Sequence, residues 1–354
     1  MNAVSKTISP STVFDHTEFA DHEDVVFVRD KATGLKAIIA VHDTTCGPAL
    51  GGCRVWPYET ADAALTDALR LSRGMSYKNA LAGLDLGGGK AVIIADPRKD
   101  KTAEMMEAFG RHVERLSGTY ITAEDVGVSP DDMEAVARHT RHVRGTMATG
   151  LGDPSPYTAL GVFAGLKAAA AHVHGSPDLS GKTVSVLGLG HVGYALCQML
   201  HEAGAKLIVS DIHAPAVLRA LDEFDCQAVE PSEAHRIEAD IFAPCALGGI
   251  LNSRTIPQLS AKIVAGAANN QLQTPLDGTL LRDRGILYAP DYAINAGGVI
   301  SIALATPGAG EDKVRTKTLA IADTLTEIFK RADAENDTPE RIADRMAEER
   351  LGKR

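Results

Sequence analysis

Two α/β domains are what this sequence predicts, on three observations. The chain has 354 residues, about two domains' worth. Short apolar runs of strand character alternate with longer helical stretches along most of it. Near the middle, a strand-like run leads directly into a Gly-x-Gly-x-x-Gly turn, an apolar helix and a second strand.

Composition narrows the class. The hydrophobic fraction is 45% and the charged fraction 23%, ordinary values for a globular chain. Lys and Arg total 36 against 46 Asp and Glu, a net charge of −10. That argues against a nucleic-acid or anionic-membrane partner, which would want a basic face. Local lysines still leave anionic small substrates open. Cys46, Cys53, Cys197, Cys226 and Cys245 are odd in number and scattered, with no CxxC pair. They point to a reducing compartment and away from a disulfide framework or a metal site. The first residues are mixed polar, with Asp15, His16 and Glu18, so no secretory signal is read and a cytoplasmic location is expected. No apolar run reaches the roughly 18 residues of a membrane span.

In chain order, a polar opening is followed by two strands around a turn, Val25–Val28 and Leu35–His42. Pro48 and Gly51-Gly52 read as the next loop. Ala61 to Gly74 reads as a helix, with Ala61, Ala64, Leu65, Ala68, Leu69 and Leu71 on or near one face. Next comes Leu84-Asp85-Leu86-Gly87-Gly88-Gly89-Lys90. Three consecutive glycines bring no side chains to pack, so they read as a sharp turn or a loop that a ligand can approach closely. Lys90 then sits at the mouth of the strand Ala91–Ala95, and Lys78 lies upstream among apolar neighbours. Thr102–Leu116 reads as a helix. Tyr120–Gly127 reads as a short strand that ends in an acidic pair, which puts Asp125 where an open α/β sheet carries its sites. Ser129-Pro130-Asp131-Asp132 starts another helix.

Residues 144–156, rich in Gly and Pro, read as the crossing between domains, and a helix follows from Thr158 to His172. Strand Thr183–Leu187, then Gly188-Leu189-Gly190-His191-Val192-Gly193, a helix to about Ala203 and strand Lys206–Asp211 make a dinucleotide-binding unit. The first glycine makes the turn, the second admits a pyrophosphate, and the third lets helix and strand pack closely. The helix N-terminus faces the phosphate charge. Asp211, 23 residues after Gly188, can accept hydrogen bonds from ribose hydroxyls and would repel a 2′-phosphate, so NAD is expected rather than NADP. Two more strand-and-loop units, Asp240–Ala246 and Ile263–Asn270, bring Asn269 towards the nicotinamide end. Strand Tyr288–Asp291 and helices opening near Asn295, Asp312 and Pro339 complete the chain.

Taken together, these residues resemble the amino-acid dehydrogenase family that handles glutamate, leucine, phenylalanine and valine, and most of all its leucine/valine/phenylalanine branch. The motifs are Gly47–Gly52, Leu84–Pro97, Thr122–Gly127, Asp153–Pro156 and Gly266–Gln271. The resemblance implies a substrate and oligomerisation domain, 1–145 with 335–354, and a doubly wound Rossmann-type NAD-binding domain, 146–334, with catalysis between them. By the same resemblance, Lys78 pairs with the substrate α-carboxylate, Lys90 is the base that activates water, and Asp125 holds the amino group and passes protons. Gly51 and Gly52 belong to the substrate loop, and Leu50, Ala123, Val299 and Ile302 line the side-chain pocket. Two neighbouring ammonium groups would depress each other's pKa and free one lysine to act as a base. The expected reaction is reversible, NAD-dependent oxidative deamination of a branched-chain L-amino acid to the 2-oxo acid and ammonia.

The chain departs from the family at three places. His191 stands where Asn is common. Leu304-Ala305 replaces an acidic pair of the leucine branch. The chain stops soon after Arg350, which favours a dimer over a larger homo-oligomer. An aromatic amino-acid dehydrogenase is the runner-up. A non-catalytic NAD-binding regulator would have lost at least one of Lys78, Lys90 and Asp125, and all three are present.

Overall fold

A computed structural model describes residues 12–146, 152–246, 248–305 and 310–352. The central part of the expected domain crossing lies outside the described residues. Two compact units emerge, one of residues 1–76 and 85–146, the other of 77–84 and 147–354.

The first unit is built on five strands, β1 (Asp24–Arg29), β2 (Lys36–Asp43), β3 (Ala49–Trp56), β4 (Gly87–Ile94) and β5 (Tyr120–Glu124), in the order β1-β2-β4-β3-β5. β2 runs antiparallel to both β1 and β4, whereas β3 runs parallel to β4 and β5. Alternation along the strands sorts the side chains. Ile39, Val41, Cys53, Val55, Ala91 and Ile93 pack with Met106, Phe109, Met133 and Val136 of α2 (Ala103–Arg115) and α3 (Pro130–Ala137). Ile38, Ala40 and Val92, one residue out of phase, pack with Ala64, Ala68 and Leu69 of α1 (Ala61–Leu81). Both faces are therefore covered. Thr102 caps α2, and Ser129 with Asp132 forms a capping box on α3.

Two sequence readings are corrected here. Gly51-Gly52 and Gly87-Gly88-Gly89 are strand residues of β3 and β4, not loops. Their missing side chains let backbones and rings come close. A Cβ on Gly87 would run into the Asp43 carbonyl and one on Gly88 into the Ser76 backbone. One on Gly89 would lie 2.7 Å from the Tyr120 ring. The glycine run is there for packing after all. α1 also continues past Gly74 to Leu81, so Lys78 lies in its last turn.

The second unit opens with α4 (Ser155–His174) and holds six parallel strands: β6 (Thr183–Leu187), β7 (Lys206–Ser210), β8 (Cys226–Ala228), β9 (Ile241–Pro244), β10 (Ile263–Val264) and β11 (Leu287–Tyr288). Their spatial order is β11-β10-β9-β6-β7-β8. Counted from β6 as strand one, that is the 3-2-1-4-5-6 order of a doubly wound dinucleotide fold, with its switch point between β6 and β9. The helices are α5 (His191–Glu202), α6 (Ala214–Glu223), α7 (Leu276–Asp283), α8 (Asp291–Ile294), α9 (Gly297–Leu304), α10 (Glu311–Leu319), α11 (Ile321–Glu335) and α12 (Pro339–Arg350). α6 to α8, β3 and β8 carried no clear signal in the sequence.

Residues 335–354, expected with the first domain, group by contact with the second unit, as do residues 77–84. The two segments are tied to each other. The Tyr77 hydroxyl donates to Glu348 Oε1 at 2.8 Å, and Arg350 Nη2 donates to the Leu84 carbonyl at 3.1 Å. No helix among the described residues is long and apolar enough to cross a membrane.

Candidate active site

In the first unit, Lys90 occupies the middle of β4 with 6% of its surface exposed. It shares strand parity with Val92, so it points to the α1 side of the sheet. Its Nζ donates to Asp125 Oδ2. Asp125 follows the last residue of β5 and reaches Lys90 across β3 because Gly52 is bare. A Cβ at that position would lie 2.7 Å from the Asp125 Cβ. Gly51 is held by its carbonyl, which accepts the Tyr120 hydroxyl at 2.7 Å. Leu50 and Ala123 are buried on β3 and β5.

Asp125 has a second cation. Arg54 Nε of β3 donates to the same Oδ2 at 3.2 Å, and its Nη1 donates to Asp67 Oδ2 of α1 at 2.9 Å. Asp67 also accepts the Tyr58 hydroxyl at 2.6 Å and lies 3.5 Å from Arg70. Burial alone would raise the Asp125 pKa, but the charges of Lys90 and Arg54 outweigh it and hold the carboxyl below its ordinary value. Sequence reading missed Arg54, Asp67 and Tyr58. The available signal was an arginine alternating with Cys53 and Val55 inside an apolar strand.

In the second unit, Lys78 Nζ donates to Asn269 Oδ1 at 3.3 Å, and Asn295 Nδ2 donates to the same oxygen at 2.8 Å. Beneath them Asp291 is buried. Burial raises its pKa, partly offset by the backbone N–H of Gln271 and the charge of Lys78. Lys90 thus donates to a carboxylate and Lys78 to an amide. Val299 and Ile302, three residues apart on α9, share a face and are half-buried.

The glycine turn fits a dinucleotide. Gly188 has φ +102°, and a Cβ there would come within 2.9 Å of the Cys245 carbonyl carbon. A Cβ on Gly193 would meet the Gly188 carbonyl. Gly190, by contrast, faces open space, the room a pyrophosphate needs above the amides that open α5. Leu189 N donates to Asp211 Oδ2 at 2.5 Å and His213 N to Asp211 Oδ1 at 2.7 Å, so Asp211 ties the turn to the end of β7. His191 is largely exposed, its Nδ1 3.4 Å from Asp153 Oδ2, and Val192 is half-buried beside it. Among the described residues no group of three or more His, Cys, Asp or Glu is disposed to hold a metal ion.

A Rossmann-type unit joined in one chain to an α/β unit with a part-buried lysine–aspartate pair defines a two-domain dehydrogenase. The model of the Glu/Leu/Phe/Val dehydrogenase dimerisation domain matches residues 22–142, and that of the glutamate/leucine/phenylalanine/valine dehydrogenases matches 210–332. Leucine dehydrogenase of Geobacillus stearothermophilus is 53% identical over 96% of this chain and 93% of its own. Valine dehydrogenase of Streptomyces virginiae is 49% identical over 95% of each. The crystal structure of L-tryptophan dehydrogenase from Nostoc punctiforme superposes with a TM-score of 0.84 at 48% identity, covering 94% of this chain and 96% of that one. The chain belongs to the Glu/Leu/Phe/Val dehydrogenase family and is an amino-acid dehydrogenase.

Proposed function

We propose that the protein catalyses the reversible oxidative deamination of leucine, valine and isoleucine with NAD. The observation that carries this reading is the ion pair between buried Lys90 and half-buried Asp125, in a chain about half identical to leucine dehydrogenases along nearly its whole length.

Each residue has one task. Lys78 pairs with the substrate α-carboxylate and fixes the orientation of Cα. Asp125, an anion before the reaction, accepts hydrogen bonds from the substrate amino group and passes on the proton that the ammonium loses before hydride transfer. NAD, when bound, supplies the two-electron acceptor for the Cα–H bond. Lys90, without its proton, takes one from the water that adds to the resulting iminium carbon, and the carbinolamine collapses to 2-oxo acid and ammonia. Gly188, Gly190 and Gly193 cradle the pyrophosphate, Asp211 accepts from the ribose hydroxyls, and Asn269 meets the nicotinamide end. Leu50, Ala123, Val299 and Ile302 line the side-chain pocket. None is charged, so a glutamate carboxylate buried there would cost several kcal/mol, and glutamate is a very poor substrate.

The 48% identical tryptophan enzyme favours one second reading, an aromatic substrate. The match of residues 22–142 to a dimerisation domain supports a homo-oligomer of at least two chains.

Stoichiometry tests the reaction. Leucine with NAD should yield NADH, ammonia and the 2-oxo acid in equal amounts. Lys90→Ala should lower kcat by on the order of 10² or more while NADH still binds. Turnover within a few-fold of wild type would rule Lys90 out as the base.

A further inference from the structure

The proposed chemistry puts an awkward demand on Asp125. As long as Lys90 carries its proton, Asp125 has a cation in contact. Once Lys90 is neutral and ready to accept a proton from water, that cation is gone. A carboxylate only 23% exposed that loses its cation is costly and takes up a proton more readily. It could then no longer accept hydrogen bonds from the substrate ammonium.

Arg54 removes this difficulty. Its Nε reaches the same Oδ2 that Lys90 uses, at 3.2 Å, and a guanidinium keeps its charge throughout. Its other edge is held from behind by Asp67 at 2.9 Å. Asp67 in turn is fixed by the Tyr58 hydroxyl at 2.6 Å and lies 3.5 Å from Arg70. Arg54 is thus clamped between two carboxylates on opposite sides, with its side chain 24% exposed. The clamp belongs to the fold. β3 carries Arg54, α1 carries Asp67, and both lie on the α1 side of the sheet, the side to which Lys90 points.

We infer that Arg54 is a positioning residue for the reaction, holding Asp125 in place and anionic through the part of the cycle in which Lys90 is neutral. The inference rests on the reading of Asp125 as the partner of the substrate amino group. The other groups that bear on Asp125 cannot replace Arg54. They are the Cys53 thiol of β3, the Tyr120 phenol of β5 and the backbone N–H of Val126. Burial raises the pKa of both Cys53 and Tyr120, so both stay neutral.

The test is the pH profile of kcat/KM for leucine deamination, in wild type, Arg54→Gln, Arg54→Lys and Asp125→Asn. NADH binding and thermal unfolding are measured alongside. Without the guanidinium charge Asp125 takes up a proton at higher pH, so the acid limb of Arg54→Gln should move to higher pH and kcat should fall ~10-fold or more. NADH binding should be unchanged. Arg54→Lys keeps a charge but cannot reach both carboxylates, so its acid limb should stay near that of wild type with a reduced kcat. If Arg54→Gln does not fold, Arg54→Lys carries the test. An unmoved limb in Arg54→Gln, or wild-type kcat in Arg54→Lys, overturns the inference. Asp125→Asn turning over like wild type would sink both this inference and the reading of Asp125 on which it rests. A dead Asp125→Asn beside an unmoved Arg54→Gln limb would sink the inference alone.

Discussion

A lysine beside a glycine run and an aspartate at a strand end were legible as candidate site residues in the sequence, because each breaks the apolar pattern around it. Arg54 was not legible. Its meaning depends on Asp67 and Asp125, 13 and 71 residues away, and no local pattern encodes those contacts. The structure adds a sign to the acid side of Asp125. Its folded pKa is depressed, so the stability from its ion pairs is complete above the ordinary carboxylate range and is lost as pH falls through the lowered value. Glu340 has the opposite sign. Burial raises its pKa, so it is most stabilising below the ordinary glutamate range and loses stability as pH rises towards the folded value. Glu340→Gln should therefore raise Tm at pH 7 and give no gain below about pH 4, the ordinary glutamate range. Thermal unfolding at the two pH values checks this, and an equal gain at both would refute the ionisation argument. Asp211 makes a separate prediction. Asp211→Asn removes the charge that should repel a 2′-phosphate, so the ratio of kcat/KM for NAD over NADP should fall about tenfold, on the order of 1.4 kcal/mol. An unchanged ratio would place cofactor discrimination elsewhere.

Two glycine groups illustrate the element scale. A run of three glycines and a Gly-x-Gly-x-x-Gly turn look alike in a sequence, since both advertise missing side chains. Only the spatial surroundings tell packing from ligand space. Gly88 lies in β4 against the Ser76 backbone of α1, whereas Gly190 opens on empty space before α5. Gly88→Ala should therefore cost stability, roughly 1–3 kcal/mol of overpacking, read as a drop in denaturation midpoint. Gly190→Ala should leave the midpoint unchanged and weaken NADH binding. The reverse pattern would contradict the assignment of the two sites. The length of α1 was misjudged for a related reason. Gly74 reads as a stop, but the turn beyond it is kept helical by contacts from afar, such as Tyr77 to Glu348.

The two-domain α/β class was legible at the scale of the whole molecule, because alternation and the glycine fingerprint are local signals. Strand order was less so. β3 was hidden by its glycine pair and β8, three residues long, was too short to show a period, whereas the short β10 and β11 were read from their apolar runs. The grouping of 335–354 with 77–84 depends on pairs more than 240 residues apart, such as Tyr77 with Glu348 and Arg350 with Leu84, and no reading of neighbours reaches that far.

Substrate choice is the other property at this scale, and it rests on the proposed side-chain pocket of Leu50, Ala123, Val299 and Ile302. One methylene in such a pocket is worth only about 1–3 kcal/mol, so the preference has to be measured. The decisive measurement is steady-state kcat/KM with NAD for leucine, valine, isoleucine, phenylalanine, tryptophan and glutamate, followed by NADH absorbance. Branched aliphatic substrates should lead both aromatic ones by at least about tenfold, a margin of about 1.4 kcal/mol, with glutamate last. An aromatic substrate ahead by that margin, or glutamate turned over as fast as leucine, would contradict the account.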